Sequence, residues 1–324
     1  MDAAPDLTPH GAGGVESKDA AIRTGSKSFA LAARLFDPAT RDLVWDLYTW
    51  CRHCDDVVDG QVLGHGHTVL TDLDARMASL RAGTASAFDG TAGDRGPFAA
   101  LARVVAATTL PRVFADDHLA GFAMDTNGRR YESLDDTLDY AYHVAGVVGL
   151  MMAWVMGVRD RAVLCRASDL GLAFQLSNIA RDVGDDLAAG RLYLPARWLR
   201  EAGVTLTEGT PLDPASAAGV APVVARLLTD AERYYDSAWH GVAHLPGRSA
   251  WAVATARLVY RDIGRAVAYR GAEAWTSRTT VGTAQKLARL LQAGVATGWM
   301  KTVGDRTAPP RTGLFTPSTI GMVG

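Results

Sequence analysis

Between about residue 15 and residue 303, apolar residues recur every three to four positions, and no sustained period-two alternation interrupts them. The pattern predicts helix after helix and no sheet. Asp37-Pro38 reads as an N-cap followed by proline at the first helical position, and Gly60 as the glycine just past a helix end. The spacing predicts further helices over 69–81, 98–109, from Pro111 towards Met124, over 162–187, over 223–242, over 250–270 and over 283–302. Ser133-Leu-Asp-Asp136 resembles a capping box and opens a long apolar helix that runs to Gly157. A short helix over 195–202 is closed by Gly203, and 203–222 is expected to be a polar loop. Val144 to Val158 carries no charge, yet it is shorter than the ~20 residues of a membrane span. Its small residues Ala145, Gly146 and Gly149 suit close helix packing, and Gly146 and Gly149 would also leave room in a tunnel wall for a ligand; both can hold at once.

Two of these helices carry polar residues where the apolar period places the core. Tyr48, Arg52, Asp55 and Asp59 fall at offsets 0, 4, 7 and 11, and Gln175, Asn178, Asp182 and Asp186 at 0, 3, 7 and 11. Leu47, Val57 and Val58 flank the first row, and Leu172, Phe174, Leu176 and Ile179 the second. A solvated face is the usual fate of a lone D-x-x-x-D pair. Here the apolar flanks put both rows inside, where unpaired carboxylates are costly and repel one another. Cations resolve this, and Mg²⁺ takes a few carboxylates, some waters and substrate phosphate oxygens. Each row is stranded unless it faces the other. The expectation is therefore one all-α domain over 15–303, a helical bundle around a central cavity. The stretches 1–14 and 304–324, rich in Pro, Gly, Ala or Thr, are expected as disordered tails.

Composition narrows the function without naming it. The 324-residue chain is 48% hydrophobic with a formal net charge of −2, an ordinary globular balance. It has no Lys/Arg block, so nucleic acid is not an expected partner. Three cysteines are too few for a disulfide framework, which points to a reducing cytoplasm. Residues 1–14 lack the basic start and apolar core of a secretory signal. Cys51 and Cys54 with His65 and His67 offer four soft ligands, but the two histidines sit too close together for the common structural zinc sites, and buried inert thiols are the better account.

Four segments in order resemble the squalene/phytoene synthase family. Asn178-Ile-Ala-Arg-Asp-Val-Gly-Asp-Asp-Leu-Ala-Ala-Gly-Arg-Leu-Tyr-Leu-Pro195 is similar to its second signature, and 48–60 to its first. Ser26-Lys-Ser-Phe29 resembles its N-terminal substrate segment, and Tyr140-Ala-Tyr-His-Val-Ala-Gly-Val-Val-Gly149 its central helix. The likeness runs from about Ser17 to Lys301, and 117–157 and 249–290 look most like the bacterial members that form phytoene. The resemblance implies an isoprenoid-synthase-like fold and a prenyltransferase reaction in which two allylic diphosphates are joined head to head. Loss of one diphosphate leaves an allylic cation, the second substrate's double bond attacks, and a cyclopropylcarbinyl diphosphate forms and rearranges to the linear product.

The same resemblance implies roles for residues. Asp55, Asp59, Asn178, Asp182 and Asp186 would hold Mg²⁺ or Mn²⁺. Ser26, Lys27, Ser28, Tyr48, Arg52, Gln175, Arg181, Tyr260 and Arg278 would contact substrate, largely at its diphosphate. Phe29 and Tyr140 either face cationic carbons through their rings or are core aromatics. The expected substrate is geranylgeranyl diphosphate and the product phytoene, the first committed step of carotenoid biosynthesis. Farnesyl diphosphate, giving dehydrosqualene or squalene, is the alternative in the same class, and a non-catalytic binding protein the alternative outside it. No glycine-rich dinucleotide fingerprint occurs, and NADPH use is not expected. The expected setting is the cytoplasm, with peripheral membrane contact and hand-off of an apolar product to a downstream carotenoid enzyme.

Overall fold

The computed structural model describes residues 32–59, 72–302 and 308–322, and no strand occurs among them. Helix α1 spans Pro38–Asp59, α2 Leu73–Phe88, α3 Gly96–Thr108 and α4 Arg112–Thr126. The Asp37 carboxylate accepts from the Thr40 amide at 3.0 Å, so the Asp-Pro start acts as its sequence suggests. Gly60 and the glycine-histidine loop after it lie outside the described residues.

The capping box at Ser133 is complete: its hydroxyl accepts from the Asp136 amide, and the Asp136 carboxylate accepts from the Ser133 amide. It opens α5, Leu134–Ala141, which passes through a π-helical turn, Tyr142–Gly146, into α6, Val147–Val155. This 22-residue stretch has the length and mean hydropathy, 1.3, of a membrane span. It lies inside the bundle instead, with α1, α3, α4 and the long helix α7, Arg161–Ala188, around it. Glycines permit that packing. A Cβ on Gly149 would sit 2.3 Å from the Ala167 carbonyl oxygen, and one on Gly171 would sit 2.2 Å from that of Ala145. At Gly149 the packing and tunnel-wall readings hold together: a Cβ there would meet the backbone of α7, and Gly149 also lines the central cavity beside Ala145 and Val148. Gly171→Ala should push two helix backbones apart and cost about 1–3 kcal/mol in a urea unfolding measurement. An unchanged midpoint would mean that the contact is slack.

The short helix α8, Ala196–Glu201, leads to α9, Pro214–Val242, and then α10, Gly247–Arg270. The polar loop expected over 203–222 ends at Asp213, whose side chain caps α9 through the amides of Ala215 and Ser216. Pro222 is held within that helix. Its exposed position leaves the carbonyl one turn back near solvent, so water can take the hydrogen bond that proline removes. A 3₁₀ turn, Gly271–Trp275, and α11, Thr283–Thr302, follow.

The C-terminal stretch departs most from expectation. Residues 308–322 are not a loose tail but a strap laid across α7, α9 and α4. The Arg311 guanidinium meets the fully buried Asp169 of α7 at 2.8 and 2.5 Å. Ser237 of α9 donates to the same carboxylate, and Arg166 donates to Ser237 and to the Pro309 carbonyl. The Phe315 amide donates to the Tyr234 hydroxyl, and Thr319 to Asp117 of α4. A 3₁₀ turn at Ser318–Met322 ends the strap.

Candidate active site

Helices α1, α4, α6, α7, α9 and α10 enclose a cavity of about 600 Å³. Parts of the two polar rows meet there, and Asp182 and Asp186 are not among the residues that line it. Tyr48, Arg52 and Asp55 of α1 line one wall, and Gln175, Asn178 and Arg181 of α7 line another, with Tyr260 of α10 and Arg278 beside them. The helical period explains the placement, because each row replaces the apolar stripe that its helix would otherwise turn inward. Beyond this polar end the lining changes to Val148, Met152, Met156, Val163, Val242 and Leu245. One cavity thus has a charged end and a long apolar end.

At the charged end the acids and arginines interleave. Arg52 bridges Asp55 at 2.8 Å and Asp56 at 2.9 Å. Arg181 donates to the neighbouring Asp182, with one contact at 2.7 Å, and Arg278 approaches the same carboxylate at 3.6 Å. Burial pushes the Asp186 carboxyl up to about 8, helped by the nearby charges of Asp182, Asp125 and Asp185 and opposed by Arg191. Burial likewise raises the Tyr48 phenol to about 12, so it stays a hydrogen-bond donor. Tyr260 stacks on Phe174 with ring centroids 4.3 Å apart. Asp59 is the last residue of α1, one turn past Asp55, and its side chain lies outside the described residues. Ser26, Lys27, Ser28 and Phe29 also lie outside them.

Three further residues belong to this end, and periodicity does not single them out. Asp125, near the end of α4, accepts from the hydroxyls of Tyr140 and Tyr193, each at 3.0 Å. Those two phenols stack with centroids 4.6 Å apart, and burial holds both far above the usual phenol range. Arg191, in the irregular stretch after α7, lines the cavity beside Asp125 and Tyr140. Arg191 and Tyr193 stand inside the quoted second signature, which is the one signal that pointed at them. Cys51 also lines the cavity, and Cys54 is fully buried on the same helix. Desolvation raises both thiols above the usual range.

A divalent cation fits this donor set. Among the described residues no three His, Cys, Asp or Glu side chains gather closely enough to cage a metal by themselves. Mg²⁺ does not require such a cage, because it keeps waters and takes substrate phosphate oxygens alongside one or two carboxylates. Hard oxygen donors on facing helices suit it, and so does a buried carboxyl at Asp186 that desolvation and neighbouring acids push up against the pull of Arg191.

Comparison with known proteins agrees with this geometry. The family model described as squalene/phytoene synthase matches residues 22–285. The 15-cis-phytoene synthase of Enterobacter agglomerans is 52% identical over 274 residues, 84% of this chain and 92% of that protein. That of Pantoea ananas is 50% identical over 292 residues, 90% of this chain and 93% of its own length. Among solved structures, a dehydrosqualene synthase superposes with a TM-score of 0.76 at 24% identity, covering 87% of this chain and 96% of that one. A squalene synthase from Alicyclobacillus acidocaldarius gives a TM-score of 0.67 at 24% identity over 79% of this chain and 93% of its own. The shared fold is the isoprenoid-synthase-like helical bundle. Since a match over most of the length is joined to two relatives at half identity or better, the chain belongs to the squalene/phytoene synthase family.

Proposed function

We propose that the protein is a prenyltransferase that joins two geranylgeranyl diphosphates head to head, through a cyclopropylcarbinyl diphosphate, to give phytoene, the first committed step of carotenoid biosynthesis. The half-identity to phytoene synthases over more than four fifths of the chain carries the reading. The cavity supports it, because a charged end and a long apolar end suit an isoprenoid diphosphate. At the charged end, Arg52, Arg181, Arg191 and Arg278 bind diphosphate oxygens and take up the charge that grows as the C–O bond breaks. Asp55, Asp59, Asn178, Asp182 and Asp186 would hold Mg²⁺ or Mn²⁺, which when bound supplies Lewis-acid stabilisation of the departing diphosphate. Gln175 and the hydroxyls of Tyr48 and Tyr260 fix the diphosphate's orientation, and Ser26, Lys27 and Ser28 are assigned to the same group. The aromatic faces of Tyr140, Phe174 and Phe29 stabilise cationic carbons. The apolar lining orders the prenyl tails and keeps water from the cations. The protein works in the cytoplasm at a membrane surface and passes phytoene to a downstream carotenoid enzyme.

The test is incubation with radiolabelled geranylgeranyl diphosphate, and separately with farnesyl diphosphate, with Mg²⁺ and without NADPH, followed by product chromatography. The expected product is phytoene, and adding NADPH should change neither its identity nor its yield. Excess chelator should abolish turnover, and Mg²⁺ or Mn²⁺ should restore it. A product made mainly from farnesyl diphosphate, or one that NADPH reduces, overturns the assignment in favour of dehydrosqualene or squalene synthesis. Full turnover in excess chelator overturns the role of the acids.

A further inference from the structure

The apolar end of the cavity contains one charged residue. Helix α7 lines the cavity from Asn178 at the charged end, through Leu170, back to Arg166 and Val163. Arg166 stands about 18 Å along the helix from Asn178 at 1.5 Å per residue. Met156, Val242 and Leu245 line the cavity around it. A prenyl tail offers a guanidinium no hydrogen bond, so an arginine among these residues needs polar partners elsewhere.

Its partners lie on the outer side. One terminal nitrogen of Arg166 donates to the Ser237 carbonyl at 3.0 Å and to the Ser237 hydroxyl at 3.1 Å. The other donates to the Pro309 carbonyl of the strap at 2.6 Å. Ser237 is not part of the cavity lining, and Pro309 is exposed. The head of Arg166 therefore leaves the cavity towards the strap, and its aliphatic stem is what the cavity meets.

The stem is held at both ends. A Cβ on Gly241 of α9 would sit 2.9 Å from the Arg166 Cβ, so stem and α9 backbone are already in contact. At the other end, swinging the head away would break three hydrogen bonds of a residue that is only 7% exposed. The strap is fixed beside it by Arg311 on Asp169, one turn along α7, and Ser237 donates to the same carboxylate. Strap and arginine head are one network, anchored outside the cavity that the stem closes.

We propose that the carbon stem of Arg166, pinned by the C-terminal strap, is the floor of the prenyl tunnel and sets the longest tail the site accepts. The proposal rests on the proposed function for the nature of the tail. Its test measures binding, so it stands apart from which product is made. Affinities of the full chain for farnesyl, geranylgeranyl and geranylfarnesyl thiolodiphosphates, whose bridging sulfur slows ionisation, are measured with Mg²⁺. The wild type should bind the geranylfarnesyl analogue at least ~10-fold more weakly than its best shorter analogue. Arg166→Ala should erase that gap, and Arg166→Val, which keeps the α9 contact, takes its place if the alanine variant does not fold. Val163→Phe fills the same end and should move the preference to a shorter tail. Ser237→Ala loosens the network but keeps the stem, so it should lower the melting temperature and leave the gap intact. A wild type that prefers the farnesyl analogue counts against geranylgeranyl diphosphate as substrate, yet upholds the floor if the arginine variant lengthens the preferred tail. Equal weakening of all three analogues by the arginine variant overturns the proposal, as does a wild type that does not discriminate against the longest tail. Loss of the gap in Ser237→Ala also overturns it, since loosened packing rather than the stem would then set tail length.

Discussion

Asp55→Ala and Asp182→Ala are each expected to lower turnover at least ~10³-fold, because each removes several kcal/mol of stabilisation that appears as the diphosphate departs. Asp55 stands on α1 against Arg52, and Asp182 stands on α7 with Arg181 and Arg278 beside it. Neither carboxylate can attract a diphosphate by itself, since like charges repel. Removing one leaves the arginines free to hold the ground-state diphosphate while the cation bridge is weakened. The loss should therefore fall on kcat, with KM unchanged or lower. Single-turnover rates with labelled substrate measure it. Asp55→Ala should fold, because the Asp55 side chain is 40% exposed, whereas Asp182→Ala leaves Arg181 without its carboxylate and should also lower the melting temperature. Rates near wild type in both variants would refute the roles assigned here.

Arg311→Ala should cost about 3–5 kcal/mol of unfolding free energy, since it leaves the buried Asp169 carboxylate without its guanidinium. Asp169 is 0% exposed and Arg311 13% exposed, so solvent screens the pair little. The Ser237 hydroxyl remains as a donor to the carboxylate, and Arg166, which donates to that hydroxyl, remains as a more distant cation. Adding Asp169→Asn to the Arg311→Ala background should recover part of the loss, because it removes the unpaired charge. Urea unfolding of the two variants and the wild type measures this. A single variant within about 0.5 kcal/mol of wild type, the scatter typical of surface substitutions, would show that the strap is ornamental.

Much of the helical frame was legible because local chemistry and global packing agree. The Asp37 and Ser133 caps, the start of α4 after Pro111 and the limits of α11 follow from capping residues and a 3.6-residue period. The two acid rows stood out because apolar neighbours fixed which way each helix must turn. Other features rest on contacts that no local pattern encodes. Asp125 is a single acid near a helix end, with no periodic partner, and its value comes from two tyrosines that reach it from elsewhere. Arg191 and Tyr193 follow the end of α7, where the period stops. The Asp213-Pro214 helix start repeats the Asp37-Pro38 signal but was hidden in a polar run and masked by Pro222. Gly149 was legible as a place of close approach, but the neighbour that approaches, the Ala167 carbonyl of another helix, is not written in the local sequence. The strap read as a loose tail because its composition is poor in apolar residues, and its anchor is a charge pair 142 residues apart.

That separation has a consequence for the order in which the molecule comes into being. The ribosome releases Asp169 long before Arg311, yet Asp169 belongs to the helix that carries the second acid row. Until residue 311 emerges, a nascent chain that packs α7 must leave that carboxylate without the Arg311 guanidinium. The bundle can collapse early around its apolar helices, but the interior next to its acid helix stays wet and exchangeable until the strap arrives. The strap then acts as a timer, setting the moment at which a chain in synthesis becomes a sealed enzyme. A chain cut short before residue 311 should remain open at that seam and be recognised as unfinished by proteases that sample exposed interiors.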